Sequence, residues 1–406
     1  MSVDLRVFGL AAVAAVAVLA AQCPALAADE ITIGAPLPLT GALSPEGEKL
    51  KMGYELWLEE LEKRGGISVG GVRQKVRLVY SDYQSQTPRA VQLAEKLISS
   101  DKVNFLFSPF GSGAIKAASS VAEKYGVPMM ASTASSKEVY DQNYKNLFGL
   151  YTPNDTLSEP IAALVKAKFP DVTRVAILAR NDLYPLALGG EFKKSAEARG
   201  LQVVYFEKYT IGTLDHAAAI TQIGAAKPDW IVATGYINDL ILIRQQMADQ
   251  KVTAKVITGI NGPQYQEWID AVGAVGNGVT TASWFHSSVR YKSDDLFGNT
   301  QNFVKLFAEI QVRARLHPSV RLRHRRHFAD GDREGRHARS RQGAKRARQY
   351  RVQDVLWPGE VRARRPGQFL HAADLSDPGQ ESGRDLSRRD QAGRSAARGG
   401  TLMLAS

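Results

Sequence analysis

From residue 31 onward the chain alternates short apolar runs with segments in which apolar residues recur every three to four positions. The first pattern reads as a strand covered on both faces and the second as a helix with one buried stripe. It predicts strands over 31–35, 76–80, 103–107 and 127–130, and helices over 44–63, 88–100 and 112–125. Ser44-Pro45 supplies a helix start with its cap and first-turn proline, and Gly65-Gly66 supplies the stop. One lobe is complete by about residue 149. The rhythm then restarts. Helices are predicted over 157–169, 188–199, 216–226 and 239–250, and strands over 175–178, 203–206, 230–234 and 256–258. The segments 279–282 and 302–309 are expected to return to the first lobe. The fold class is α/β, with two doubly wound parallel-sheet lobes joined by a hinge and facing each other across a cleft. Ligands of such sheets bind outside the carboxyl ends of the strands.

Both ends depart from this pattern. Arg6 opens a short basic segment, residues 7–21 are small and apolar, and Ala25-Leu26-Ala27 before Ala28 has the small-x-small form cut by signal peptidase. Residues 1–27 are therefore read as a cleaved signal peptide of an exported protein. The apolar run falls short of the roughly 20 residues that span a bilayer. Cys23 is the sole cysteine and lies inside that signal, so the mature chain has no disulfide, thiolate metal site or thiol nucleophile.

The formal charge of +11 conceals a division: residues 1–310 carry 30 Lys+Arg against 31 Asp+Glu, whereas 311–406 carry 22, 21 of them Arg, against 10. The tail has no sustained helical or strand period and reads as irregular. Three readings compete: a basic arm for nucleic acid, a disordered surface-binding extension, and an out-of-frame translation of a GC-rich gene. The last accounts for abundant Arg, Ala, Gly, Pro and Ser beside scarce Lys, Ile and Asn. The division expected is thus lobe 1 over 28–149, lobe 2 over 150–280, a return to lobe 1 over 281–310, and an Arg-rich, non-native tail over 311–406.

The chemistry concentrates in VNFLFSPFGSGAIKAASSVAEKYGVPMMASTASS, where two buried strands each run into a Gly/Ser/Thr loop. Each loop offers hydroxyls and backbone N–H groups at a strand's carboxyl end, and the first opens a helix whose dipole favours an anion. A small carboxylate is the ligand these loops suit. Catalysis lacks support: His216 and His286 are the only histidines before the tail, both read as solvent-exposed, and no GxSxG, HExxH, P-loop or dinucleotide fingerprint occurs. The tail's HRRH has metal-like residues in Arg-diluted surroundings. No enzyme activity, cofactor or metal is expected.

The runs ITIGAPLPLTGALSPEG, GYELWLEELEKRGGI, VYSDYQSQTPRAVQLAEKLI and FSPFGSGAIKAASSVAEKYGVPMMASTASS resemble the periplasmic Leu/Ile/Val-binding proteins of ABC transporters, over about residues 29–310. The resemblance implies a monomeric, two-lobed binding protein that closes on an amino acid of the branched-chain type and hands it to an inner-membrane permease. It puts the ligand carboxylate on Ser112, the backbone of Thr133, and Ser135. It also places Tyr184 and Tyr236 as walls from the opposing lobe, with Pro185 standing where a glycine is common. Asn261 occupies the position nearest to the family's ammonium-binding carboxylate and lacks its charge. Either Glu267, Asp239 or Asp182 substitutes, or the ligand has no ammonium and is an aromatic or aliphatic acid lined by Trp284 and Phe110. A ligand sensor and a non-functional frameshifted copy are the other readings.

Overall fold

The computed structural model describes residues 30–316 and 401–404. The signal segment, Cys23, HRRH and nearly all of the Arg-rich tail lie outside the described residues.

Lobe 1 is a five-stranded parallel sheet in the order β4-β1-β5-β6-β7, where β1 is Ile31–Leu37, β4 Val76–Asp82, β5 Phe105–Phe107, β6 Met129–Ala131 and β7 Leu147–Gly149. Between β1 and β4 come helix α1 (Ser44–Lys63) and a hairpin of β2 (Ile67–Val69) and β3 (Val72–Gln74). Helices α2 (Thr87–Ser99) and α3 (Ser112–Tyr125) make the β4–β5 and β5–β6 connections. Every residue of β1 is buried, as a strand sandwiched between helices must be. The expected Ser44 cap is not made: Leu43 occupies the cap position without a side-chain bond, and Ser44 with Pro45 already lies in the first turn.

Lobe 2 begins with α4 (Asp155–Lys168), followed by β8 (Arg174–Arg180), α5 (Leu183–Glu197), β9 (Gln202–Tyr209), α6 (Ala217–Ala225), β10 (Trp230–Thr234), α7 (Ile237–Asp249), β11 (Val256–Ile260), α8 (Gln266–Val272) and β12 (Val279–Ser283). Its strands order as β12-β11-β10-β8-β9, all parallel. The short β13 (Thr401–Leu404) pairs antiparallel outside β12. Trp230 donates to Thr258 Oγ1 at 2.8 Å, and Thr258 shares a 2.7 Å bond with Thr280, so the polar groups inside this sheet satisfy one another.

Two expectations are corrected. The segment predicted over 279–282 does not return to lobe 1: as β12 it pairs with β11 inside lobe 2's sheet, so the chain leaves lobe 2 after Ser283 rather than at 281. The return is made by Leu296, buried with lobe 1's core, and by α9 (Thr300–Leu316), which packs on α1. This helix also runs six residues past the expected boundary at 310, and Arg313 pairs with Glu59 of α1 at 2.8 Å. The hairpin and β7 were not anticipated from the sequence pattern.

The lobes meet along one rim. Asn238 Nδ2 donates to Ala42 O at 3.1 Å, and Lys49 pairs with Glu267 at 2.8 Å. At Gly113, a Cβ would stand 3.2 Å from Asp182 Oδ1 and 3.8 Å from Leu183 Cβ, so α3 of lobe 1 approaches the start of α5 of lobe 2 at backbone distance.

Candidate functional site between the lobes

The two Gly/Ser/Thr loops stand side by side because β5 and β6 are neighbouring parallel strands, which bring their carboxyl ends to one edge. They are tied to each other. Gly111 N donates to Thr133 Oγ1 at 3.0 Å and Ser136 N donates to Ser112 Oγ at 3.3 Å. Ser135 Oγ donates to Asn154 Oδ1 at 2.8 Å, and Asn154 N returns a bond to Ser135 O at 3.0 Å, anchoring the second loop to the crossover that enters lobe 2. Ser112 and Ser135 are almost wholly buried. Gly111 holds φ near +85°, a left-handed position that suits glycine at the cap of α3.

This cross-linking changes what each residue offers. Ser135 spends its hydroxyl proton inside the protein, on Asn154, whereas Thr133 Oγ1 accepts from Gly111 N. Among the described residues, no acceptor meets the backbone N–H of Thr133 or Ser135. Ser112 Oγ accepts from Ser136 and so has its own proton left to give. The carboxyl edge of lobe 1 therefore presents two amides and the hydroxyl protons of Ser112 and Thr133 in a buried corner, beside the N-terminus of α3. That is a donor set for an anion with two oxygens.

Lobe 2 supplies rings. Tyr236 lies 5.4 Å from Phe110 and 6.1 Å from Tyr184, and its hydroxyl would be only 3.1 Å from a Cβ on Gly111. Trp284 stacks on Tyr151 at 4.4 Å and stands 6.2 Å from Tyr184. The Tyr184 hydroxyl and Trp284 Nε1 are buried without a partner. Burial pushes the Tyr151 phenol up to about 12 and holds Tyr184 and Tyr236 well above the usual phenol range. Behind Tyr236, Arg180 donates to Asp239 at 2.7 Å and places its guanidinium 5.0 Å over the Tyr236 ring. Burial lowers the Arg180 pKa, but the charge and hydrogen bond of Asp239, together with Tyr236 and Asp182, outweigh it and hold the guanidinium above its ordinary value.

The six residues singled out in the sequence fall into three groups. Ser112, Thr133 and Ser135 converge. Tyr184 and Tyr236 join the aromatic wall with Phe110 and Trp284. Asn261 is buried, left-handed at φ 74°, and accepts from the Tyr265 hydroxyl at 3.2 Å. The three stand-ins considered for a missing carboxylate are engaged elsewhere. Asp239 serves Arg180 and the Tyr236 amide, Asp182 caps α5 through Leu183 N at 2.7 Å, and Glu267 is half exposed and pairs with Lys49.

Two site residues escaped sequence reasoning. Tyr151 lies in the non-periodic crossover after β7. Glu46 lies in the first turn of α1, where an acidic residue reads simply as a favourable charge for the helix dipole. It is only 4% exposed, its Oε1 accepts from Ile237 N of α7 across the lobe boundary at 3.4 Å, and its Oε2 has no partner. Burial raises its pKa above the usual carboxylate range.

His216 is corrected as well. Expected at the surface, it is 3% exposed, packs edge-on against Tyr209 at 4.8 Å, and neither ring nitrogen has a partner. His286, also read as solvent-exposed, is half-buried, with Nδ1 bonded to Ser288 Oγ at 2.6 Å. Among the described residues no cluster of His, Cys, Asp or Glu could hold a metal, and no helix is long and apolar enough to cross a membrane.

Two lobes with a donor-lined corner at the strands' carboxyl ends make a specific architecture, and a family described as periplasmic binding protein matches residues 30–314. The chain belongs to that family. Among curated proteins it is similar to the Leu/Ile/Val-binding protein BraC3 of Rhizobium johnstonii, 29% identical over 256 residues and covering 63% of this chain and 68% of that one. It is also similar to Leu/Ile/Val-binding protein homolog 7 of Brucella suis, 26% identical over 272 residues and covering 65% and 66%. The chain thus spans about two thirds of the length of these relatives. Two solved structures share the fold. The branched-chain amino acid substrate-binding protein LivJ of Streptococcus pneumoniae, in complex with isoleucine, matches at TM-score 0.59 with 22% identity, covering 71% of this chain and 84% of that one. A solute-binding protein from R. palustris, in complex with 4-hydroxybenzoate, matches at 0.60 with 20% identity, covering 70% and 74%.

Proposed function

We propose that this periplasmic binding protein is the solute-binding component of an ABC importer, which captures a small carboxylate between its lobes and delivers it to an inner-membrane permease. The observation that carries the reading is the cross-linked pair of loops, whose Thr133 and Ser135 amides and Ser112 hydroxyl are left with donors to spare. Hydrogen bonds to a charged group contribute about 1.5–3 kcal/mol each, so three would account for much of the roughly −8 kcal/mol of a micromolar complex. An amino acid of the branched-chain type fits the curated relatives. An aromatic acid is the second reading, favoured by the rings of Phe110, Tyr151, Tyr184, Tyr236 and Trp284 and by the uncharged Asn261. We assign residues 1–27 to a signal peptide, the mature protein to the periplasm as a monomer, and the Arg-rich residues beyond the family match to a shifted reading frame.

The test is calorimetry on the full chain with leucine, isoleucine, benzoate and 4-hydroxybenzoate. Micromolar binding of at least one supports the proposal; no heat from any of the four overturns it.

A further inference from the structure

Glu46 is the buried charge that the rest of the molecule leaves incomplete. Its Oε1 is committed to Ile237 N, the first residue of α7, so the carboxylate is buried because lobe 2 lies over it. Its Oε2 is buried and, among the described residues, has no hydrogen-bond donor. No cation of the neighbouring elements fills the gap. Lys49, one turn further along α1, is bound to Glu267 at 2.8 Å and lies 5.2 Å over the Tyr265 ring. Arg180 is held by Asp239. Asn261, on the loop after β11, has its oxygen occupied by Tyr265. A buried carboxylate oxygen without a donor is costly, because its hydration has been removed and nothing replaces it.

Glu46 is also linked to the first loop through α7: its donor Ile237 follows Tyr236, whose hydroxyl would stand 3.1 Å from a Cβ on Gly111. Its charge reaches the phenols of Tyr83, Tyr236 and Tyr265 and raises the pKa of each, although burial is the larger cause in all three. Of these, Tyr83 donates to Phe110 O at 3.2 Å and the Tyr236 hydroxyl overlies Gly111, both at the start of the first loop. Tyr83 and Tyr236 are therefore both within electrostatic reach of Glu46 and placed at the start of the first loop.

We infer that the ligand carries, in addition to its carboxylate, a hydrogen-bond donor, an ammonium or a hydroxyl, that is received by Glu46 Oε2. The inference rests on the carboxylate-binding reading above. It gives the two oxygens of one residue distinct tasks, Oε1 fastening α7 and Oε2 reading the ligand, so that the ligand's donor is linked to the closed arrangement of the lobes.

Matched pairs test it. Leucine against 4-methylpentanoate differs by the ammonium alone, and 4-hydroxybenzoate against benzoate by the hydroxyl alone; each is titrated calorimetrically into the full chain and into Glu46→Gln. Glutamine keeps an oxygen for Ile237 N and turns the other position into a donor. The expected result is that the donor-bearing member of one pair binds at least about tenfold tighter than its twin to the wild type. In Glu46→Gln that preference is expected to collapse to within about threefold. The pair that shows it identifies the donor. Equal affinities within both pairs on the wild type overturn the inference while leaving the carboxylate reading intact, and that comparison needs no variant. So does a preference that survives Glu46→Gln. Absence of binding by all four probes removes the carboxylate reading and this inference together.

Discussion

The two lobes share a topology yet contribute opposite kinds of surface to the site. Lobe 1 offers short side chains and backbone: Thr133 is fixed by Gly111, Ser112 by Ser136 and Ser135 by Asn154. Lobe 2 offers bulky rings backed by a buried ion pair, Tyr184, Tyr236 and Trp284 in front of Arg180 and Asp239. In the proposed function, backbone donors recognise what every candidate ligand has, the carboxylate. Rings and their orphaned polar tips meet the part in which candidates differ. The contrast predicts that damage to lobe 1 weakens all ligands alike, whereas damage to lobe 2 changes which ligand is preferred.

The largest effect should come from the pair behind the rings. Asp239→Ala strands the Arg180 guanidinium in a site where its side chain is only 6% exposed. Breaking such a pair costs about 3–5 kcal/mol, so urea denaturation should show lobe 2 unfolding at distinctly lower denaturant while lobe 1 is unaffected. Coincident unfolding at the wild-type midpoint would remove the pair from the account. On the lobe 1 side, Ser112→Ala combined with Ser135→Ala should weaken every carboxylate that binds by about tenfold or more, read by calorimetry; a loss confined to one ligand class would contradict the division of labour. Ser112→Ala alone should also cost about 1–3 kcal/mol of stability, because the Ser136 amide loses its acceptor.

Tyr184→Phe should behave in the opposite sense. Its hydroxyl is buried and unpartnered, so deleting it should raise the stability of the ligand-free protein by up to about 1 kcal/mol, while the preference among aromatic and aliphatic acids shifts. Destabilisation on thermal melting would mean that the hydroxyl has a partner. The smallest effect is expected from His216, whose pKa is lowered chiefly by burial. The folded state then binds its proton less readily than the unfolded chain. Its contribution is complete above about pH 6.5 and is lost as pH falls toward the folded value. Stability of the wild type should therefore decline over that window more steeply than that of His216→Phe; superimposable pH profiles would exclude the residue as the cause.

Much of this could be read from the residues alone. Alternating buried strands and amphipathic helices announced both lobes, and Ser112 and Ser135 were legible because each follows an apolar strand and lies in a small-residue loop. What could not be read depends on which strands become neighbours. The segment that became β12 has an ordinary strand pattern, and only the crossover through α8 decides that it pairs with β11. Glu46 gave a helix-start signal, and its burial arises from α7, some 190 residues further along the chain. His216 looked like a polar helix start because nothing local reveals that Tyr209 packs over it. The free amides of Thr133 and Ser135 follow from side-chain bonds between loops, which no periodicity encodes.

The most direct test is a crystal structure of the chain grown separately with isoleucine and with 4-hydroxybenzoate. The account predicts the ligand carboxylate at hydrogen-bonding distance, about 2.7–3.1 Å, from the amide nitrogens of Thr133 and Ser135, with the Ser112 hydroxyl as third donor. A ligand seated with its carboxylate against lobe 2, or outside the space between the lobes, would contradict it.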